Sequence, residues 1–470
     1  MTMMIKQLIK YNSDGTYFAG FLQSLIDESG ISGSVSQDEN YITLKLDATQ
    51  QKEAEVFDGL CAKYLPHSLF VEAIESKPLE FAITPSDFRS QSYEIAPCPK
   101  CLELLTNPAS DLYLDDAIVC THYSNDALQV NDTSTYTPHF TDQNTLLVVD
   151  SSKVNDLFYI TQKELEVLFS IEKPTIKVTI KDETLKELTG KNFINIKAPF
   201  SIKSSLVALN AKESEIAYLF FDDLKPFKVV VVQENVTIIE DKKGISKSLQ
   251  PLDQDETLNR FLNIKHEAGF SKSAIGAYLS THGISFLISN ELGSKKVLSF
   301  GEFDLQASLQ KMKTDPKRVK LLENFANKRE DFAEFEAMDS QDIFAVVCKI
   351  LELKEESFEA LSDKSLEFRG NGGLKIDMFF DDKGFDYESF LGSIISFYLA
   401  GAETHYLAYS IFEAFGDMAT TSLTQIQKKF HIENFVMMGD MFANNVLYSR
   451  ILSKFQMQKP YFSKAIALDK

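Results

Sequence analysis

The chain has 470 residues, 44% of them hydrophobic, enough for roughly two to four domains with buried cores and too apolar for wholesale disorder. Forty-eight basic residues face 68 acidic ones, and a net charge of −20 disfavours nucleic acid and anionic lipid as partners. Arg89 is the sole arginine before Arg260, so bidentate guanidinium clamps on phosphate are nearly missing from the first half. Five cysteines (Cys61, Cys98, Cys101, Cys120, Cys348) make no even disulfide framework and fit a reducing compartment. No leader pattern opens the chain and no run approaches the ~20 apolar residues of a membrane span. The expectation is a cytoplasmic protein without membrane insertion.

Taken in order, residues 5–11 alternate as a strand and 18–29 carry helical periodicity up to Gly30. Segments 34–35 and 41–46 form a hairpin around Asp38-Glu39-Asn40; 53–64 reads as a second helix and 68–76 as a last strand. Then comes Pro97-Cys98-Pro99-Lys100-Cys101 and, after eighteen intervening residues, Cys120-Thr121-His122-Tyr123. Two cysteines two residues apart reach one tetrahedral metal from a tight turn, and a second such turn closes the site. Tyr123 stands where the fourth thiolate belongs, and His122 beside it could supply a ring nitrogen. The alternatives are a zinc site of Cys98, Cys101, Cys120 and His122, or a relic knuckle without metal. His139 lies in a polar spacer, 125–143, and reads as a solvated loop residue.

Beyond the spacer, strands are expected at 145–149, 175–180, 228–232 and 236–240, with a helix over 162–171. From about 259 the reading is paired strands at 273–288 and 295–303, helices at 339–353 and 387–416, and a strand, glycine turn and helix from Phe435. Gly370-Asn371-Gly372-Gly373 reads as a flexible turn, and Asp222-Asp223 and Asp381-Asp382 as solvated loop tips.

The β-α-β-β-α-β order of 1–80 resembles the acylphosphatase domain. Followed by CxxC-x18-Cys, it is similar to the HypF family of hydrogenase maturation proteins, and within it to the shortened HydE-type branch encoded beside some uptake [NiFe] hydrogenases. The resemblance implies an α/β (α+β) multidomain chain. Its parts are an acylphosphatase-like domain (1–90), a degenerate zinc-knuckle module with spacer (91–143), a reduced linker or remnant of a YrdC-type domain (144–258), and an actin-like, TsaD-type domain (259–470). The string Ser170-Ile171-Glu172-Lys173-Pro174 resembles one YrdC string over five residues. The family makes the cyanide ligands of [NiFe] hydrogenase from carbamoyl phosphate.

Departures from the family pattern carry the functional expectation. The acyl-phosphate arginine falls on Ala19, the water-orienting asparagine on Gln37, a zinc cysteine on Tyr123, and the closing metal aspartate on Ser463. Gly439 and Asn444 match the glycine and asparagine of the strand–turn–helix phosphate cradle, and are the candidate nucleotide-binding residues. The cradle's second glycine, however, is Asp440, a carboxylate where a phosphate would approach. His405 lies one residue from the family's metal histidine position, Thr404; His266 and His282 are candidates for a second pair. The reading is a pseudoenzyme that contacts a hydrogenase subunit or another maturation factor, with one zinc and without ATP or magnesium. The alternative is an active carbamoyltransferase using the C-terminal cleft.

Overall fold

The computed structural model describes residues 4–79, 88, 95–123, 131–141, 145–381 and 384–469. Part of the spacer and Asp382 therefore lie outside the described residues. The fold is mixed α/β and divides into two compact units, 1–248 with 464–468, and 249–463 with 469.

The first unit opens with β1 (Met4–Tyr11), α1 (Tyr17–Ser29), β2 (Gly33–Gln37), β3 (Tyr41–Asp47), α2 (Gln51–Tyr64) and β4 (Val71–Leu79). They build an antiparallel sheet of order β2-β3-β1-β4. Alternation buries Ile42, Leu44 and Leu46 from β3, where they pack with Phe18, Phe21, Leu22 and Leu25 of α1. Gly30 stops α1 in the left-handed conformation, at φ 73°, and its N–H caps Ile26 O. After α3 (Pro99–Thr106) come β5 (Thr145–Val148), a turn of helix α4 (Val154–Leu157), β6 (Phe158–Tyr159), α5 (Gln162–Leu168), β7 (Ile176–Ile180), α6 (Glu183–Thr189), β8 (Phe193–Lys197), α7 (Ile202–Glu213) and β9 (Tyr218–Phe221). Segment 144–258, expected as a linker or remnant, thus holds a five-stranded mixed sheet of order β6-β7-β8-β5-β9. A hairpin of β10 (Phe227–Val232) and β11 (Asn235–Asp241) follows.

Two expectations in this unit are corrected. The helix predicted over 162–171 stops at Leu168, because Lys173 adopts φ 48° and turns the chain before Pro174. Asp223 is no solvated tip: its carboxylate takes the Lys197 ammonium at 2.7 Å and the Thr175 hydroxyl at 2.6 Å, and Lys197 is wholly buried. Glu172 is also buried, accepting from Tyr17 Oη (3.0 Å), Ser68 Oγ (2.5 Å) and Leu69 N (3.1 Å).

The second unit contains α8 (Glu256–Glu267), β12 (Ala274–Ser280), β13 (Gly283–Asn290), β14 (Gly293–Ser299), helices α9 (Leu305–Met312), α10 (Pro316–Lys328), α11 (Phe332–Ala337), α12 (Ile343–Ile350) and α13 (Phe358–Leu366), the small hairpin β15 (Phe380–Asp381) and β16 (Gly384–Phe385), α14 (Tyr387–Leu399), α15 (Thr404–Phe430), β17 (Phe435–Met438), α16 (Asn445–Lys454) and β18 (Tyr461–Phe462). The sheet runs β14-β13-β12-β17-β18, with an antiparallel meander on one side and β12, β17 and β18 parallel on the other.

Three expectations change here. Segment 273–288 is two strands, because Thr281-His282 makes a tight hairpin between Ser280 and Gly283. Segment 387–416 is two helices, because Gly401 takes φ 82° and ends α14. The glycine turn at 370–373 is pinned to α15: Gly373 N–H donates to Glu413 Oε2 at 2.6 Å and Leu374 N–H to Ser410 Oγ at 2.8 Å. Among the described residues no helix is long and apolar enough to cross a membrane.

Two stability predictions arise from the buried charges of the first unit. Burial above all raises the Glu172 carboxyl from its ordinary value, so the native state keeps that proton to higher pH than the unfolded chain does. Its contribution is complete below the unfolded carboxyl range and is lost as pH rises through the folded value. Glu172→Gln is expected to shrink the fall in urea-unfolding free energy between pH 5 and pH 8. Lys197→Ala leaves Asp223 buried and uncompensated; the expected loss is about 3–5 kcal/mol in the same assay.

Candidate metal centre

Cys98 is the N-cap of α3, its Sγ accepting Cys101 N–H at 3.4 Å, and Pro99 sits at the first helical position. That cap brings the sulfurs of Cys98 and Cys101 to one point at the helix start. The second arm enters through a turn in which Asp115 Oδ1 accepts Ala117 N–H at 2.9 Å. It delivers Cys120 and, two residues on, His122, whose Nδ1 lies 3.2 Å from Cys98 Sγ and 3.5 Å from Cys101 Sγ. The four ligand atoms of Cys98, Cys101, Cys120 and His122 all lie within 4.8 Å of one another. Sulfurs around a tetrahedral ion with bonds of ~2.3 Å stand ~3.8 Å apart, so the group is close to ligand geometry and could hold one zinc.

Tyr123 does not join them. Its ring packs at 5.5 Å on Phe21 of α1, and burial, followed by the nearby thiols, holds its phenol well above the ordinary range, leaving it a neutral hydroxyl. His122 thus brings a fourth possible donor atom to the three sulfurs, one residue before the place where spacing puts the lost thiolate. His139 is exposed and outside the cluster. Hydrogen bonds from Cys101 and Cys98 pull the Cys120 thiol far down, while those with Cys101 and Cys120 push Cys98 up. A bound cation would displace the protons that the crowded sulfurs otherwise hold. All three cysteines are buried and all four positions come from protein, leaving no coordination site open to substrate. Lys100 pairs with Glu28 of α1, and Lys63 of α2 with Glu103 of α3 at 3.0 Å, tying the module to the helices beside it.

No family model matches the chain. Protein HydE of Wolinella succinogenes is 22% identical over 347 residues, covering 65% of this chain and 62% of HydE's own length. A full-length HypF crystallised with phosphate and nucleotide superposes over 100% of this chain and 96% of its own, with a TM-score of 0.59 at 12% identity. HypF of T. kodakarensis gives a TM-score of 0.63 at 11% identity, covering 99% of this chain and 96% of its own. The chain is a HypF-type protein in fold, similar in sequence to HydE.

Against the HypF pattern, the remaining expected positions have inward-facing roles. Ala19 lies fully buried inside α1. Gln37, at the end of β2, donates its amide to Ser13 O and Gly15 O, both at 3.2 Å, and so bridges the β1–α1 loop. Asn444 is buried, caps α16 by accepting Leu447 N–H, and donates to Ser362 and Ser365 of α13. Every polar atom of that side chain is engaged in the core, which leaves none for a nucleotide. Gly439 has φ 110°, and a Cβ there would stand 2.0 Å from Leu279 O; the close strand approach requires glycine. Ser463 is buried and donates to Glu267. His405 pairs with Glu403 at 3.2 Å and its ring lies 5.9 Å from Phe368; His266 and His282 are exposed. None of these histidines belongs to a metal-ligand cluster among the described residues.

Two carboxylates meet at the end of the second sheet. Asp440 accepts Thr281 N–H at 2.7 Å and Thr281 Oγ1 at 2.5 Å. Asp469 accepts from Ser280, from Tyr278 at 3.2 Å and from Asp440 N–H at 3.1 Å. Asp440 was visible in the sequence as a carboxylate after a strand-ending glycine, although its partner Thr281 was not. Asp469 was missed altogether, since its side-chain partners lie about 190 residues away and leave no local signal.

Metal analysis of protein prepared without chelator is expected to give one zinc per chain. Cys98→Ser, Cys120→Ser and His122→Ala should each lose it, with a fall in melting temperature, whereas Tyr123→Phe keeps full stoichiometry. Zinc loss in Tyr123→Phe with retention in His122→Ala would reverse the ligand assignment.

Proposed function

We propose that this protein is an accessory factor in [NiFe]-hydrogenase maturation, acting in the cytoplasm by contact with a hydrogenase subunit or another maturation factor rather than by catalysis. On this reading 1–90 is a retained acylphosphatase-like scaffold and 91–143 its zinc-knuckle module. Residues 259–470 are a retained carbamoyltransferase-like scaffold, and 144–258 a folded remnant between them. Zinc at Cys98, Cys101, Cys120 and His122 is structural.

The observation that carries the reading is the inward use of positions where HypF-type chemistry needs available polar groups. Ala19 offers no charge, the Gln37 amide closes onto the loop beside it, Asn444 is held by Ser362 and Ser365, and Ser463 by Glu267. An anion site without its guanidinium loses its main charge stabilisation. The similarity to HydE and the HypF-type fold supply the hydrogenase context. A net charge of −20 favours a partner with a basic face and contacts that weaken with salt.

Two measurements test this. Affinity capture of the tagged chain from hydrogenase-expressing cells is expected to recover a hydrogenase subunit or maturation factor, less of it as salt is raised. The purified chain is expected to leave carbamoyl phosphate and ATP unconsumed. Turnover of either compound, lost on chelation or on mutation of the C-terminal cleft, would replace this reading with the carbamoyltransferase one. Capture that recovers no hydrogenase protein would remove the maturation role.

A further inference from the structure

Strands β12 and β17 are parallel and in register, Ile275 facing Phe435 through Tyr278 facing Met438, so their carboxyl ends finish side by side. The carboxyl ends of adjacent parallel strands are where open α/β sheets gather ligands. Here the two ends are the turns Ser280-Thr281 and Gly439-Asp440, brought together by the close approach of Gly439 to Leu279 O. Five donors collect at this junction: the Thr281 amide, the hydroxyls of Thr281, Ser280 and Tyr278, and the Asp440 amide. Such an array of neutral donors at strand ends is the construction that receives an oxyanion.

Both of its anions are the protein's own. The two Asp440 oxygens take the Thr281 amide and hydroxyl, one each, in a bidentate grip. Asp469 takes the other three donors. A cavity of about 260 Å³ opens beside the grip, lined by Thr281, His282, Gly283, Gly301, Phe344 and Tyr387 among others. Ser280 and Thr281 are both part of that lining, so an oxyanion in the cavity would compete with Asp440 for the Thr281 donors.

We propose that Asp440 is a built-in oxyanion surrogate: it occupies a cradle for a phosphate group formed by the β12–β13 and β17–α16 turns, and keeps phosphate esters out of the adjoining cavity. Burial and the neighbouring Asp469 hold its carboxyl above the ordinary range, which accords with a site shaped for charge that arrives from outside and not for a permanent resident. The inference goes beyond the accessory role and does not depend on which partner the protein meets.

The test is calorimetric titration of the full-length chain with inorganic phosphate, tripolyphosphate and ATP, each with and without magnesium. Wild type is expected to give no saturable binding at millimolar ligand. Asp440→Gly, which frees the Thr281 amide and hydroxyl, is expected to gain at least about tenfold in affinity for tripolyphosphate or ATP, about 1.4 kcal/mol. The double variant Asp440→Gly, Thr281→Ala is expected to lose that gain. Where Asp440→Gly fails to fold, judged by circular dichroism, Asp440→Ser takes its place in the same comparison, with the same gain expected. A folded variant that ignores all three ligands overturns the proposal, as does wild type binding them as tightly as the variant. Gained binding in a protein that captures no hydrogenase partner would uphold the cradle and remove only the accessory role.

Discussion

Holding buried carboxylates largely through directional neutral donors is the constraint on which most of this structure turns. The sequence has six arginines among 470 residues; Arg318 pairs with Asp386, Arg329 with Asp331 and Arg450 with Asp417 and Glu413, while Arg260 lies in the field of Asp469. Yet Glu172, Asp440 and Asp469 are buried or nearly so. An isolated carboxylate in a core costs several kcal/mol, which hydrogen bonds and nearby cations such as Lys173 beside Glu172 and Arg260 beside Asp469 offset. The chain meets it with hydroxyls and backbone amides: Tyr17, Ser68 and Leu69 N–H for Glu172; Thr281 for Asp440; Ser280, Tyr278 and Asp440 N–H for Asp469. Neutral donors are directional, so each carboxylate fixes the loops that hold it. In the first unit Glu172 joins the start of α1, the loop before β4 and the turn after α5.

The metal module answers the same difficulty by another route. Among its described residues, 95–123, there is one eight-residue helix and otherwise turns, too little apolar surface for a core of its own. Its sulfurs are buried all the same, and three crowded thiols and an imidazole are stable together only when protons or a cation balance the charge. The apolar seal is borrowed: Tyr123 and the edge of His122 rest against Phe21 of α1. Packing of this kind explains why a tyrosine could replace a cysteine there. The aromatic ring completes the wall, and the neighbouring histidine turns Nδ1 to the sulfurs.

How much of this was legible in the sequence depends on the range of the interaction. The alternation of β3 and the periodicity of α1 are local patterns, and the strands and helices of 1–79 fall within a few residues of expectation. The CxxC knuckle is local too, and its spacing pointed to the four residues whose ligand atoms lie within 4.8 Å of one another, because a metal site is a short-range geometric demand. Boundaries failed where one residue takes an unusual backbone conformation for reasons of tertiary packing: Lys173 at φ 48°, Gly401 at φ 82° and the two-residue turn at Thr281-His282. Pairings across 26 to about 190 residues, Lys197 with Asp223 and Tyr278 with Asp469, leave no trace in a local window. Asp223 looked like a loop tip because its neighbour Asp222 is also acidic; only the sheet shows that one faces inward.

A cradle kept ready for a ligand has to leave donors unsatisfied, and unsatisfied donors are a standing loss of stability. Asn444 meets that demand by tying α16 to Ser362 and Ser365 of α13, and Asp440 by taking both Thr281 donors. These side chains also stiffen the turns that carry them. On the accessory reading proposed above, such a scaffold can hold its surface shape more firmly than an enzyme whose loops must open and close. Rigid surfaces lose less entropy on association, a gain that would serve the partner contacts proposed above.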